Sequence, residues 1–370
     1  MRKTLLLLSL LYTTSSSIFA QKIMVGSCTL KDGGIYTGEL IGSKPGGKGR
    51  VVYENGDTYE GSFVKGYRQG EGTFTAADGS RYEGTWTKNE RNGQGTFYAV
   101  NNNRYIGLWY RNRKEGQGKM FYYNGDVYDG IWKNNKRNGK GVYTYKSGAF
   151  YEGDWVDDQK SGKGTFDWKD GSKYQGAWHN NQRNGRGTYT YPDGDFYSGD
   201  WKNDMQDGRG IYKFHNGDVY EGQYKAGERT GEGTFRFFNG DNYVGEFLNG
   251  EQSGHGTFQW KGVAVYVGSW QNNMMHGHGI YKWKNGDEYN GEWKNNAMDG
   301  EGILKFADGG RFKGHFSKGK RHGKSVEIRE DGSRIDCSYR DGRKHGKYTE
   351  YDSNGNVTKK GEYSNGRIVQ

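Results

Sequence analysis

The sequence has 370 residues, of which 65 are glycine and 2 proline, with 16% aromatic residues, 31% hydrophobic residues and a formal net charge of +10. So few aliphatic side chains cannot fill a conventional globular core, and so many aromatic rings exclude an intrinsically disordered chain. Abundant glycine and aromatic residues, with charges of both signs throughout, are typical of a repetitive β-structure.

The N-terminus has the features of a secretory signal peptide. Arg2 and Lys3 are followed by an apolar stretch, residues 4–12, and then by a small polar tail that ends at Ala20. The apolar stretch is too short to span a bilayer. We therefore predict a signal peptide at residues 1–20 and export of the mature chain to the periplasm, the envelope surface or the extracellular space.

The two cysteines, Cys28 and Cys337, lie near opposite ends of the chain. An exported protein can form disulfides, but an extended repeat array would hold these thiols far beyond the roughly 7 Å Cα separation that a bridge allows. Residues 25–28 loosely resemble a lipoprotein cleavage box, so lipidation of Cys28 is an alternative that the sequence leaves open.

A 23-residue repeat occupies residues 36–334, and residues 21–35 are predicted to form a half-repeat that caps its first edge. We number the positions of each repeat from 0. Position 0 is tyrosine in twelve successive repeats: Tyr36, Tyr59, Tyr82, Tyr105, Tyr128, Tyr151, Tyr174, Tyr197, Tyr220, Tyr243, Tyr266 and Tyr289. Phe312 and Ile335 continue this series.

Other positions of the repeat are equally regular. Glycine holds position 2 from Gly38 to Gly314 and position 13 from Gly49 to Gly302. Position 4 is aromatic in nearly every repeat, and we expect its tryptophans to be structural: Trp86, Trp109, Trp132, Trp155, Trp178, Trp201, Trp270 and Trp293. Without side chains at positions 2 and 13, the large rings at positions 0, 4, 15 and 17 can lie across the sheet and pack against their equivalents in the next repeat.

Within a repeat the hydrophobic period is two. Residues 151–155 read Tyr-Glu-Gly-Asp-Trp, which predicts a half-buried strand, and positions 13, 15 and 17 predict a second strand. Residues 124–126, Asn-Gly-Asp, have turn chemistry. Residues 133–138, at positions 5 to 10, are predicted to form a longer polar loop. Each repeat is therefore expected to be a β-hairpin.

The pattern Tyr-x-Gly-x-Trp, followed by Gly-x-Gly and then by Asp-Gly or Asn-Gly, strongly resembles the MORN (membrane occupation and recognition nexus) repeat. The resemblance implies an all-β fold, an elongated, twisted single-layer array of about fourteen hairpins. Residues 335–370 depart from the pattern and look more like bacterial MORN-variant repeats, so we treat them as divergent C-terminal repeats and a cap.

No catalytic residue, cofactor or metal site is predicted. The repeated Gly-x-Gly lacks the helix that a phosphate-binding loop requires. Glu152, Asp154 and Asp200 lie on the polar strand face, where a solvated surface is the simpler interpretation and a carbohydrate-active enzyme the alternative. His255, His276 and His278 raise the further question of a copper or zinc site, which the spacing of the repeats disfavours.

Basic residues recur at position 9. Six consecutive repeats carry Arg68, Arg91, Lys114, Arg137, Lys160 and Arg183 there. On a predicted loop edge they would form a line of positive charge that could bind an anionic lipid surface or an envelope polysaccharide, although polar loops also need charge for solubility.

These observations favour a non-enzymatic, exported binding or scaffold protein. We expect its partner to be a protein or a second copy, bound through the aromatic sheet face or the basic loop edge. Peripheral binding to anionic lipid or polysaccharide, and hence membrane association, is the alternative, and nucleic acid is disfavoured by export.

Overall fold

The computed structural model describes residues 22–369, and these residues form 32 β-strands joined by turns, without a helix. The all-β prediction is therefore confirmed for the part of the chain that is described. The chain divides after Lys146 into two compact units, which are described separately below. The predicted signal peptide, residues 1–20, lies outside the described residues and stays a prediction.

Unit 1 is an antiparallel meander in which each strand pairs with its neighbours in sequence. Its first strand contains the half-buried Cys28, opposite Tyr36. The strands are β1 Ile23–Thr29, β2 Ile35–Ile41, β3 Lys44–Val52, β4 Thr58–Val64, β5 Tyr67–Thr75, β6 Arg81–Thr87, β7 Glu90–Tyr98, β8 Arg104–Tyr110, β9 Arg113–Phe121, β10 Val127–Lys133 and β11 Lys136–Thr144.

Unit 2 continues the same antiparallel pattern up to β28, which pairs with both β29 and β30. The strands are β12 Phe150–Val156, β13 Gln159–Asp167, β14 Lys173–His179, β15 Gln182–Thr190, β16 Phe196–Lys202, β17 Met205–Lys213, β18 Val219–Lys225, β19 Glu228–Arg236, β20 Asn242–Leu248, β21 Glu251–Trp260, β22 Ala264–Gln271, β23 Met274–Trp283, β24 Glu288–Lys294, β25 Ala297–Lys305, β26 Arg311–Ser317, β27 Lys320–Ile328, β28 Arg334–Arg340, β29 Arg343–Lys344, β30 Gly346–Tyr351, β31 Val357–Ser364 and β32 Arg367–Val369.

The predicted loop at positions 5 to 10 is wrong. Only two residues separate β10 from β11, and both have positive φ: 50° at Asn134 and 71° at Asn135. This is the signature of a type I′ hairpin turn, whose twist matches that of the strands and which asparagine and glycine tolerate best. Residues 136–138 therefore belong to a strand.

The longer turns between hairpins are connected to one another by aspartate side chains. Asp218 accepts a hydrogen bond at 2.7 Å from the backbone N–H of Phe238, one repeat later. Asp241 does the same at 2.8 Å for Lys261. These bonds satisfy backbone donors that the strands leave unpaired, so each turn is held by its predecessor.

The core is a tyrosine ring lying over a pair of glycines. In unit 2, Gly268 and Gly279 face each other across β22 and β23, and Tyr266 is fully buried above them. A Cβ at Gly279 would overlap the Tyr266 hydroxyl. That hydroxyl donates to the carbonyl of Ser269 at 3.0 Å. Burial raises the pKa of Tyr266 above its ordinary value, because the phenolate would lose its hydration.

Tryptophans join successive tyrosines into a continuous row within each unit. Tyr266 contacts Trp270 of its own repeat at 5.2 Å and Trp293 of the next at 5.5 Å between ring centroids, in edge-to-face geometry. The Trp293 indole N–H donates to the carbonyl of Gly279 at 3.3 Å. Such aromatic pairs add roughly 0.5–1.5 kcal/mol each beyond the area they bury.

The exceptions to the pattern occur together. Position 0 is Phe312 where position 13 is Ser325, and the next repeat combines Ile335 with Cys337 in place of glycine. Ser325 donates to the carbonyl of Cys337 at 3.1 Å. A side chain at position 13 thus appears where the tyrosine hydroxyl is missing, as expected if the hydroxyl and a Cβ compete for one space.

We predict that Phe312→Tyr destabilises the protein because Ser325 occupies the space of the new hydroxyl. Overpacking of this kind costs about 1–3 kcal/mol. The double variant Phe312→Tyr with Ser325→Gly should recover stability, since it recreates the usual pair. Thermal unfolding of the parent, both single variants and the double variant measures this coupling. Strictly additive effects would show that the hydroxyl and the Cβ do not compete.

Candidate functional site: the aromatic face

The position-4 tryptophans identified in the sequence lie inside the structure. All eight are buried, with exposures from 3% to 6%. Each is covered by tyrosines of its own and the preceding repeat wherever both lie in one unit, as Trp109 is by Tyr105 and Tyr82. These rings build the sheet and are not available to contact a partner.

The six basic residues at position 9 do not line a loop edge. They lie on strands, half-buried, and they share the face of the sheet that carries the tyrosines and tryptophans. Five cations stack on the next repeat's tryptophan at 4.3–4.5 Å from the ring centroid: Arg68, Arg91, Lys114, Lys160 and Arg183. Arg137 lies 5.3 Å from the Tyr143 ring. The predicted basic loop edge is therefore wrong in its placement.

Arg91 shows how closely these side chains are held. Its backbone N–H donates to Asn112 Oδ1 at 2.9 Å, and its guanidinium donates to the carbonyl of Asn112 at 3.1 Å. Burial lowers the pKa of Arg91, but the ordinary value is so high that the guanidinium stays charged. Met275 and Met298 occupy the same position in other repeats, a sequence signal that position 9 faces the core.

A row of rings at positions 15 and 17, where the sequence predicts the second strand of each repeat, lies on the same face, and all of them but the buried Phe166 are half-buried. We call it the aromatic ladder. Centroids lie 4.3–4.6 Å apart within a repeat and 5.4–5.7 Å apart between repeats. Its members, all in unit 2, are Phe166, Trp168, Tyr189, Tyr191, Tyr212, Phe214, Phe235, Phe237, Phe258, Trp260, Tyr281 and Trp283.

A groove of about 520 Å³ runs beside the middle of the ladder. Its floor is formed by the buried rings of Tyr224 and Phe247. One wall is the ladder itself, and the other carries the polar side chains of Gln206, Arg229 and Gln252. An apolar wall facing amide and guanidinium donors is suited to a ligand that has both apolar groups and exposed carbonyls.

The opposite face of the sheet is polar. Asp154 accepts a hydrogen bond from the backbone N–H of Lys163 at 3.0 Å, and Asp200 accepts one from Arg209 at 3.1 Å. These carboxylates close the β-bulges where position 3 meets the partner strand. Glu152 is exposed on β12. The carboxylates considered for catalysis are thus accounted for by backbone contacts or by solvent.

Among residues 22–369, the one group of three metal-ligating side chains with ligand atoms within 4.8 Å of one another is Asp193, Asp195 and His215. Asp195 already accepts from the Tyr212 hydroxyl at 2.7 Å and from the His215 backbone N–H at 2.8 Å. Although burial opposes its charge, these bonds hold the pKa of Asp195 below its ordinary value. Asp195 therefore accepts a backbone hydrogen bond from the next turn, as Asp218 does.

The three histidines considered for metal binding do not form such a group. His255 and His278 are exposed, whereas His276 is half-buried with an Nδ1 atom that has no hydrogen-bond partner.

Exposed cations also occur at the type I′ turns of unit 1, the unit with the larger excess of positive charge. Residues 22–146 carry 20 Lys and Arg against 12 Asp and Glu, whereas residues 147–370 carry 32 of each. We define the turn edge of unit 1 by the exposed cations at positions 5, 6 and 8 of the four repeats that start at Tyr59, Tyr82, Tyr105 and Tyr128: Lys65, Lys88, Arg111, Arg113, Lys133 and Lys136. Glu90 lies among them.

We predict that Arg91→Glu destabilises unit 1, because it replaces the cation stacked on Trp109 by a half-buried anion. A loss of about 1–3 kcal/mol is expected. Arg91→Met should be nearly neutral, since methionine occupies this position in other repeats. Hydrogen exchange of the amides in β6 to β8 reports the difference. Equal protection in both variants would mean that the stacked charge contributes nothing.

A comparison with protein families finds the MORN repeat. It matches residues 36–58, 59–81, 82–104, 105–127, 128–150, 151–173, 174–196, 197–219, 220–242, 243–262, 266–288, 289–311 and 312–334. No curated protein matches the sequence. In residues 22–369, no helix is long and apolar enough to cross a membrane.

Some solved structures show a weak likeness. The SAS-4 TCP domain of Drosophila melanogaster, in complex with a proline-rich motif of Ana2, is 13% identical with a TM-score of 0.28, covering 48% of this chain and 90% of that one. The TCP10 domain of Danio rerio CPAP with a STIL peptide is 12% identical, with a TM-score of 0.15 and coverages of 92% and 100%. These scores are too low to support an inference. The thirteen matched repeats, in contrast, span most of the described chain, which therefore belongs to the MORN-repeat family.

Proposed function

We propose that this protein is an exported, non-enzymatic scaffold of the cell envelope or extracellular space, which binds a protein partner along the aromatic ladder of unit 2. Membership of the MORN-repeat family supports a repeat-based binding module. The observation that carries the proposal is the ladder itself, because its twelve rings are packed against one another yet mostly half-exposed.

The rings of the ladder are more exposed to solvent than those of the buried tyrosine and tryptophan rows. Tyr220, Tyr224 and Phe247 are at most 5% exposed and need no partner. Phe214 and Phe237, at position 17 beside this row, keep part of their surface in solvent, and the exposed Phe238 follows Phe237 in the chain and lies beside Gly217. A contiguous apolar surface of this kind is typical of an interaction site.

This surface is better suited to binding a protein than to catalysing a reaction. The carboxylates of the opposite face brace β-bulges, and the Asp193, Asp195 and His215 group braces a turn. Repeats around the groove differ little from one another, whereas a catalytic centre would make one or two repeats chemically distinct. Secretion and the absence of catalysis are parts of this proposal and rest on the sequence.

The proposal is tested by replacing two outer rings. In a capture experiment from the native envelope fraction, Phe214→Ser with Phe237→Ser should lose a protein that the parent retains. Val244→Ser is the matched control, since it removes an exposed apolar side chain, 46% accessible, from the opposite face. Circular dichroism checks that all three proteins are folded. If the ladder variant retains the same proteins as the control, the ladder is not the binding surface.

A second candidate function, binding to an anionic surface, is favoured by the turn edge of unit 1. The six position-9 residues are half-buried on strands, with five stacked on tryptophans, so the exposed turn cations replace them as the candidate contacts. Each lysine or arginine near an anionic bilayer contributes about 1 kcal/mol, and salt weakens the attraction.

We predict that the parent binds vesicles containing anionic lipid at low salt and releases them by about 0.5 M salt. Lys88→Glu, Arg111→Glu and Lys133→Glu together should abolish binding. Lys202→Glu with Lys294→Glu, exposed positions in unit 2, should not. Vesicle co-sedimentation measures both. Binding that survives the triple reversal, or that follows the unit 2 control, would exclude the turn edge as the anion-binding surface.

A further inference from the structure

We infer that the occupant of the aromatic ladder is a basic, proline-rich segment in the polyproline II conformation, lying along the groove of unit 2. This inference rests on the proposed function and names the chemistry of the partner. Three properties of the groove support it: its period, its hydrogen-bonding wall and its charge.

The period of the ladder matches that of polyproline II. One repeat contributes two strands, and strands lie roughly 4.7–4.9 Å apart, so the ring pairs recur about every 9.4–9.8 Å. A polyproline II helix has three residues per turn and rises about 3.1 Å per residue, or roughly 9.3 Å per turn. Every third side chain would therefore meet an equivalent ring pair, such as Tyr212 with Phe214 and then Phe235 with Phe237.

Other regular conformations fit less well. Two turns of an α-helix rise about 10.8 Å, which overshoots one repeat by roughly 1 Å, and the mismatch grows with each repeat. A β-strand binds through a free sheet edge, whereas the ladder lies on the face of strands that are paired on both sides. Polyproline II needs no edge, because side-chain packing on aromatic rings anchors it.

The polar wall supplies hydrogen-bond donors, which are needed by the backbone carbonyls of a polyproline II helix. Its carbonyls make no internal hydrogen bonds, so a partner surface must offer donors or leave them in water. Gln206, Arg229 and Gln252 stand on the side of the groove opposite the ladder, at position 9 of three successive repeats. Gln206 Nε2 lies 3.2 Å from the Tyr191 hydroxyl, which orients its amide beside the ladder.

The net charge of this part of the chain favours a basic partner, and the cation that lines the groove, Arg229, is stacked on Phe235 and Phe247. Residues 147–300, which contain the whole ladder, carry 16 Lys and Arg against 22 Asp and Glu on the two faces of the sheet together. Glu228 lines the groove and is exposed, and Glu251 is exposed at the same position of the next repeat. Two carboxylates one repeat apart complement lysine or arginine spaced three residues apart on the bound segment.

The ring geometry disfavours a polysaccharide. Sugars stack on open ring faces, but here neighbouring rings cover one another, as Phe258 and Trp260 do with centroids 4.4 Å apart and planes inclined at 32°. Proline, with a compact apolar ring and an exposed carbonyl, can pack against the edges that remain.

The test is fluorescence anisotropy with labelled peptides and the mature chain. A peptide of six Pro-Pro-Lys triplets should bind. A Gly-Ser-Lys peptide of equal length and charge should bind at least about tenfold more weakly, because it lacks the preformed conformation. A peptide of Pro-Pro-Glu triplets should also bind at least about tenfold more weakly, because like charges face each other.

The charge contribution is tested with exposed side chains that leave the core intact. Glu228→Lys with Glu251→Lys should weaken binding of the Pro-Pro-Lys peptide and strengthen that of the Pro-Pro-Glu peptide. Glu152→Lys, on an exposed side chain of β12, is the control and should change neither. Equal binding of both peptides to parent and variant would overturn the charge argument and, with it, the proposed basic partner.

The ladder and the partner class can fail separately. If Phe214→Ser with Phe237→Ser abolishes capture of a native protein while no Pro-Pro-Lys binding is detected, the proposed function stands and the polyproline II inference is overturned. Ladder-dependent binding of a β-linked oligosaccharide without peptide binding overturns both. Peptide binding that is lost in the ladder variant and kept in Val244→Ser supports both.

Discussion

The fold depends on one packing arrangement, a tyrosine ring lying flat over two facing glycines. Tyr266 over Gly268 and Gly279 is representative: the ring occupies the volume that two side chains would take, and its hydroxyl finds a backbone acceptor. A single sheet has no second layer to cover its apolar face. Here the sheet covers itself, because rings that lie down bury one another and the bare backbone beneath them.

Covering by neighbours also explains why the repeat must recur. Trp293 packs on Tyr266 of the preceding repeat and donates to the carbonyl of Gly279, so a hairpin without a neighbour would expose both groups. Stability is then a sum of contacts between adjacent repeats. The same arrangement fixes which residues are left for binding. Rings at positions 0 and 4 are buried within the fold, and most of those at positions 15 and 17 of unit 2 are only half-buried.

The regularity of the sequence was sufficient to predict the hairpin repeat and the role of the glycines. The residue types of Tyr266, Gly268 and Gly279 recur at the equivalent positions of most other repeats. It was insufficient at positions 5 to 10. Those residues are polar because their strands lie at the surface and end in type I′ turns, and polarity alone does not distinguish a strand from a loop. Asn249-Gly250, a strong hairpin signal, indicated a two-residue turn at positions 6 and 7. Stacking of Arg91 on Trp109 depends on cross-strand register, which cannot be assigned while positions 5 to 10 are taken for a loop.

Register also decides what kind of recognition this surface can perform. Since position 9 lies opposite position 4, and positions 15 and 17 follow on the same face, each repeat presents one polar group and one ring pair in a fixed relation. In four repeats of unit 1 the polar group is a cation, and position 17 is alanine in two of them, Ala76 and Ala99, but tyrosine in the next two, Tyr122 and Tyr145. Around the groove of unit 2, Gln206 and Gln252 replace the cations while Phe214 and Phe237 extend the ladder. The backbone is the same in both, so the difference in surface chemistry comes from two positions of the repeat. A partner that repeats with the same period can satisfy every copy at once, which makes period, more than any single residue, the property that selects it.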